Sequence, residues 1–237
     1  MAQAKKNDAS QLVKYAIDLL VHGTAQDWKS HYRLREFQDV MAEKAKDAIL
    51  LDFEYKDRRK LYRCVNQRFV GNRPVDYLEF GVAGGESFRA WLELNANADS
   101  RFFGFDSFQG LPEDWGADNP KGTFSRQGRV PEFGDGRARI VDGLFQETVD
   151  AFSRSFTPRN ALVLHMDADL YSSTLYCLMQ MQRHIAPGTI ILFDEFTARD
   201  CTDEYAALQD FCQACCRDYA VLAARRDYVK LAVEITR

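Results

Sequence analysis

Apolar positions follow two rhythms along this chain. Up to about residue 70 they recur at helical spacing. QLVKYAIDLLVH (11–22) carries Leu12, Tyr15, Ile17, Leu19 and Leu20 on one broad face. A second helical stretch, poor in breakers, is expected from about Ser30 to Tyr55, and a third over 57–70. Gly71-Asn72-Arg73-Pro74 then stops it. Beyond Pro74 short apolar runs of strand length alternate with helical stretches. Strands are expected at 75–81, 102–105, 138–141, 161–166 and 189–193. Helices are expected at about 85–96, 144–154 and 173–184, with a cysteine-bearing helix near 204–219. The piece 219–235 reads as two strands joined by a tight turn near 224–227.

Alternation of this kind predicts an α/β fold, a doubly wound, mostly parallel sheet covered on both faces. The closing hairpin supplies an antiparallel strand. Two units follow: an N-terminal helical extension, 1–70, and a sheet domain, 71–237. Ligands of such sheets lie beyond the carboxyl ends of the strands, so the residues just after each strand are the ones that matter. Between Gly110 and Arg137 the pattern breaks. That segment holds six of the 14 glycines and three of the six prolines, with Trp115, Phe124 and Phe133 spaced along it. A loop this long with aromatic residues suits a lid, at about 110–137, over a bound molecule; a surface loop with local packing is the plainer alternative.

Charge narrows the partners. The chain has 31 basic and 35 acidic residues; residues 1–70 hold 14 and 10 of them, the remainder 17 and 25. The acidic larger part argues against nucleic acid. The one basic cluster, KDRRKLYR (56–63), is expected to be the solvated face of a helix. No apolar run approaches the roughly 18–20 residues that span a bilayer, and MAQAKKNDAS has no signal-peptide core. A cytoplasmic protein without membrane partners is expected. Four of the six cysteines crowd 201–216, but no second C-x2-C pair and no nearby His complete a zinc set. Thiols packed on a core are expected.

Chemistry concentrates in three places. LEFGVAGGESF (78–88) puts Gly81, Gly84 and Gly85 between a strand and a helix, where bare backbone can approach a ligand. It lacks the G-x-G of the dinucleotide fingerprint, because Ala83 stands where the second glycine belongs. Asp106 ends the second strand, where a carboxylate can accept from ribose hydroxyls; this fits NAD and S-adenosylmethionine alike. HMDADLYSST (165–174) and FDEF (193–196) follow strands that are neighbours in the usual arrangement. Asp167, Asp169, Asp194 and Glu195 would then share one rim. Four carboxylates there call for a hard divalent cation, Mg²⁺ or Ca²⁺, unless they only cap a helix, through Asp169 or Ser172, or never meet.

DYLEFGVAGGES, FFGFDSFQGLPEDW, VDGLFQETV, LHMDADLYSST and PGTIILFDEF together resemble the macrocin O-methyltransferase (TylF/MycF-like) group of class I S-adenosylmethionine-dependent methyltransferases. The resemblance covers about 76–196. It implies a seven-stranded sheet, S-adenosylmethionine and Mg²⁺ as cofactors, and transfer of methyl to a hydroxyl of a small molecule, a sugar or natural-product intermediate. It also implies a homo-oligomer, a dimer foremost. By position, Glu79, Gly81, Val82, Gly84, Gly85 and Ser87 would meet the methionine end of the cofactor. Asp106 and Ser107 would hold the ribose. Asp142, Gly143 and Phe145 would flank the adenine, and Asp167 would lie at the cofactor's edge. Asp167 or Asp169, with Asp194 and Glu195, would bind the metal, and one of Asp169 and Asp167 would be the base. Two departures are Glu195 in place of the second of two paired aspartates, and Ala168 where Gly is frequent. The competing expectations are a nicotinamide-dependent oxidoreductase and a non-catalytic subunit that binds S-adenosylmethionine.

Overall fold

The computed structural model describes residues 25–237. The helix expected at 11–22 lies outside them. The elements run α1 (Ala25–Lys44), β1 (Ile49–Leu51), α2 (Arg59–Val65), a π-helical turn (Asn66–Val70) and β2 (Val75–Phe80). Then come α3 (Glu86–Leu94), β3 (Arg101–Asp106), β4 (Ala138–Asp142), α4 (Phe145–Ser155), β5 (Ala161–Met166) and α5 (Tyr171–Met181). β6 (Ile190–Phe193), the short α6 (Ala198–Cys201), α7 (Glu204–Ala214), β7 (Tyr219–Arg225) and β8 (Leu231–Ile235) complete the chain.

One sheet holds all eight strands in the order β1-β7-β8-β6-β5-β2-β3-β4. Only β8 is antiparallel to its neighbours, β6 and β7. The expected α/β class holds, and the expected count of seven rises to eight. The stretch from Ser30 to Tyr55 is not one helix: α1 ends at Lys44, and Ile49–Leu51 pairs in parallel with Ala223–Arg225. Ile-Leu-Leu satisfies an open sheet edge with its backbone, and no local helical propensity outweighs that.

Parallel strands covered on both faces lose the polar–apolar alternation. Every residue of β2 is buried. Two apolar layers result. On one face Phe80, Phe105, Leu164 and Phe193 pack with Leu178 and Met181 of α5 and with Tyr205, Leu208 and Phe211 of α7. On the other, Tyr77, Phe102 and Val163 pack with Val65 of α2 and Trp91 of α3. Trp91 is fully buried and stacks on Tyr77 at 4.9 Å between ring centroids. Each such large side chain contributes roughly 1.5–3 kcal/mol by burial. α1 joins the first layer through Phe37 and Met41, and its Arg33 pairs with Asp210 of α7 at 3.1 Å. Cys177, Cys201 and Cys212 are buried free thiols of that same layer.

The strand order reverses between β2 and β5, the central parallel pair. Gly81 marks the crossing point. Its φ is +99°, and a Cβ there would lie 1.8 Å from the carbonyl oxygen of Asp167. The loops after β2 and β5 are thus pressed backbone to backbone at the switch point, where open α/β sheets bind ligands.

Candidate active site

A cavity of about 560 Å³ opens above the carboxyl ends of the central strands. One end is nucleoside-shaped in its chemistry. The amides of Val82 and Ala83 donate to Asp106 Oδ2 at 2.9 and 2.7 Å, and the amide of Phe108 donates to Oδ1 at 2.7 Å. The Asp106 carboxylate is thereby locked onto the glycine turn, with acceptor capacity left toward the cavity. Gly81, Ser107, Gly143, Leu144 and Phe145 line the same end. Leu111, Pro112, Trp115 and Phe124 of the long loop also line the cavity. That loop is tied down: the Trp115 indole donates to Asp203 at 3.0 Å, and the Phe133 ring packs on Phe88 at 4.7 Å.

Not every residue proposed for the cofactor reaches this wall. Glu79 is fully buried beneath it, accepting from the Ser87 hydroxyl at 2.7 Å and from the Tyr77 hydroxyl. Val82 is buried and contributes its amide only. Gly84 and Gly85 turn toward Arg126, Pro131 and Phe133 of the long loop. Asp142 is exposed at the end of β4, and only its neighbour Gly143 lines the cavity. For Glu79 the reason is strand geometry: alternate residues of β2 point to opposite faces, and Glu79 lies on the face of Tyr77.

At the other end of the cavity stand Asp167, Asp169, Asp194 and Glu195. The tightest group among the described residues is His165, Asp167 and Asp194, whose ligand-type atoms lie within 4.8 Å of one another. Asp169 and Glu195 fall outside that group, so the four-acid cage expected from the motifs is narrower in the structure. Asp169 has a left-handed backbone (φ 59°). The N-cap of α5 is Leu170, without a side-chain cap, so Asp169 is not spent on capping. His165 is buried in β5. Its Nδ1 lies 2.8 Å from the Tyr77 hydroxyl and 3.3 Å from Glu79, while Nε2 has no hydrogen-bond partner and points to Asp194 Oδ1 at 3.9 Å.

Two cations missed by sequence reasoning hold these acids together. Arg58 Nη1 donates to Asp167 Oδ2 at 2.8 Å and to Asp194 Oδ2 at 2.7 Å. Lys230 Nζ donates to Asp194 Oδ2 at 2.7 Å and to its backbone oxygen at 3.0 Å. The Tyr55 hydroxyl donates to Glu195 Oε1, and the Lys230 ammonium lies 4.1 Å from the centroid of the Tyr55 ring. Arg58 sat unremarked in the basic run read as solvated; its neighbours Arg59, Lys60 and Arg63 are indeed exposed. Lys230 did carry a signal: a lone lysine inside the apolar run YVKLAV belongs to a buried strand only if it is paired.

The charges respond accordingly. Burial opposes ionisation of Asp194, but Arg58 and Lys230 outweigh it and hold the carboxyl below its usual range. Burial and then the Asp194 charge push Asp167 upward. Asp169 is raised to about 8, chiefly by burial and then by the charges of Asp167 and Glu195. Burial also raises Glu195. The cluster therefore keeps one firmly ionised carboxylate, Asp194, while Asp169 and Asp167 take up protons near neutrality and Glu195 is shifted in the same direction.

In sequence and in fold the chain is similar to known methyltransferases. The chain is 28% identical to the 8-demethyl-8-(2,3-dimethoxy-alpha-L-rhamnosyl)-tetracenomycin-C 4'-O-methyltransferase of Streptomyces olivaceus, over 60% of this chain and 61% of that protein. It is 28% identical to the demethyldecarbamoylnovobiocin O-methyltransferase of Streptomyces niveus, over 65% and 67%. It thus spans under two thirds of the length of the first and about two thirds of the second. Its fold matches the calicheamicin methyltransferase CalS11 with a TM-score of 0.57 at 20% identity, covering 90% of this chain and 94% of that one. It matches the O-methyltransferase NovP with a TM-score of 0.57 at 21% identity, covering 90% and 100%. The family model of macrocin O-methyltransferase (TylF) matches residues 3–215, and the chain belongs to that family.

Proposed function

We propose that the protein is an S-adenosylmethionine-dependent O-methyltransferase acting on a hydroxyl of a small molecule, a sugar or a sugar-bearing natural-product intermediate. The observation that carries this reading is one continuous cavity with a pinned Asp106 at one end and a carboxylate cluster at the other. The names of the relatives, all methylating oxygens of natural products, support the acceptor class. Family membership counts against the nicotinamide alternative. No helix among the described residues is long and apolar enough to cross a membrane.

In this reading Asp106 and Ser107 bind the ribose, Gly143 and Phe145 flank the adenine, and the 110–137 loop closes over the reactants to exclude water. Asp169 lines the cavity without a hydrogen-bonded partner among the described residues, and accepts the acceptor's hydroxyl proton. A carboxyl raised to about 8 is a stronger base than an ordinary one, close to the pH at which it must work. Arg58 and Lys230 keep Asp194 ionised beside it. Alignment of oxygen, methyl and sulfur supplies the rest.

The donor set fits a hard divalent cation. Four carboxylates share the rim with two cations, and the buried Nε2 of His165 stands beside them without a hydrogen-bond partner among the described residues. Asp167 and Asp194 would hold Mg²⁺, with Glu195 at the rim; bound there, it would lower the pKa of the acceptor hydroxyl.

The test is direct. The protein is melted with S-adenosylhomocysteine or NADH, then incubated with S-adenosylmethionine and a panel of glycosylated acceptors, with products read by mass spectrometry. We expect stabilisation by S-adenosylhomocysteine alone and a mass gain of one CH₂ on a hydroxyl-bearing acceptor, whose hydroxyl proton is replaced by methyl. Asp169→Asn should lower kcat by about 10²–10⁴-fold and leave S-adenosylhomocysteine affinity unchanged. Absence of S-adenosylhomocysteine binding would end this reading.

A further inference from the structure

Arg58 occupies the position of a cation. Its single Nη1 bridges Asp167 Oδ2 and Asp194 Oδ2, oxygens delivered by two different strands. The same two carboxylates, with His165 Nε2, present ligand-type atoms within 4.8 Å of one another. The imidazole is an independent sign of a ligand: it is fully buried, directed at this group, and without a hydrogen-bond partner on Nε2.

The two internal cations are held very differently. The Lys230 side chain is 2% exposed, bonds to the Asp194 backbone as well as its carboxylate, and lies under the Tyr55 ring. It is part of the core. The Arg58 side chain is 24% exposed and reaches in from the residue before α2, where it makes no cap bond to the helix. A long guanidinium side chain anchored at the rim can swing to solvent without moving a strand.

We propose that Arg58 is the resident counter-ion of Asp167 and Asp194, and that a divalent cation enters by displacing it. This rests on the metal reading above. A divalent ion between Asp167 and Asp194 would take the place of the Arg58 Nη1 that bridges them, and the two charges repel at that distance, whereas Lys230 pairs with Asp194 alone of the two. His165 Nε2, which has no hydrogen-bond partner among the described residues, would serve as a ligand through its lone pair once the metal is seated. Lys230 stays in place and holds Asp194 in either state.

The experiment uses Mn²⁺ as a paramagnetic probe on the full chain, comparing wild type with Arg58→Gln and Arg58→Lys by electron paramagnetic resonance. We expect Arg58→Gln to bind Mn²⁺ roughly ten-fold tighter or more, the least expected from losing one charge-assisted competitor bond. Arg58→Lys should fall between. Mn²⁺ should also raise the melting temperature of Arg58→Gln more than that of wild type, because it relieves acids the variant leaves uncompensated. Should Arg58→Gln fold poorly, hydrogen exchange on wild type decides. Mn²⁺ should then speed exchange at 57–61 while slowing it at 165–169; slowing at both overturns displacement. Equal or weaker Mn²⁺ binding by Arg58→Gln, with wild type binding, overturns displacement and leaves the metal reading standing. No Mn²⁺ binding by either protein overturns both.

Discussion

Replacing Lys230 by methionine isolates what the buried ammonium does for the site. Methionine matches the aliphatic stem, so the change removes a charge and little volume. In the folded chain Lys230 Nζ makes two contacts to Asp194, both inside the protein. Removing one partner of a buried pair costs about 3–5 kcal/mol. Against a typical total of about 5–15 kcal/mol this is a large fraction. Arg58 remains on Asp194, so the lower part of that range is expected. The assay is urea unfolding of wild type, Lys230→Met, Asp194→Asn and the double variant. The cycle should give a coupling of about 2 kcal/mol or more, because lysine matters mainly through the charge it faces. The loss in Lys230→Met should also shrink toward acid pH, where a poorly compensated Asp194 takes up a proton. A Lys230→Met cost unchanged in the Asp194→Asn background, or unchanged between mildly acidic and alkaline buffer, would refute the electrostatic account and reduce Lys230 to packing.

Gly81→Ala should cost about 1–2 kcal/mol for the left-handed backbone and about 1–3 kcal/mol for driving the Asp167 carbonyl away. Melting temperature and S-adenosylhomocysteine affinity should fall together; wild-type values for both would contradict the close approach. Asp76 tests a structural carboxylate away from the cavity. Burial opposes its charge, but two bonds from Arg101 and the amides of Arg159 and Asn160 bring it below its usual value. A carboxyl lowered on folding stabilises above its unfolded value, near pH 4, and that stability is lost as pH falls through the folded value. Asp76→Asn should therefore lose about 1.5–3 kcal/mol at pH 7 and show a flatter decline in acid; parallel pH–stability curves would contradict it.

The strands of the sheet were legible because each is a compact apolar run closed by glycine, proline or an acid: β5 matches its expected span of 161–166. β1 was not. Three residues, Ile49–Leu51, give no periodicity, and their pairing with Ala223–Arg225 is a contact across the whole chain. The site divided in the same way. Asp106, Gly143, Asp167 and Asp194 follow strands, so topology alone brings them to one rim. The counter-charges could not be read from spacing. Arg58 belongs to a run whose other members face water, and Lys230 to a hairpin remote in sequence from every acid it serves. Glu79 shows the converse: its motif placed it at the cofactor, while strand parity turned its side chain into the core.

The eighth strand has a mechanical consequence. Among the described residues β1 is bonded along one edge only, to β7, and its central residue Leu50 is 45% exposed. The segment that leaves it carries Tyr55 and Arg58 across to the carboxylates. Short edge strands are among the first parts of a domain to open. Detaching this one would withdraw the tyrosine and the guanidinium together, as a latch attached by three rungs, while the central strands and Lys230 keep the acids in register.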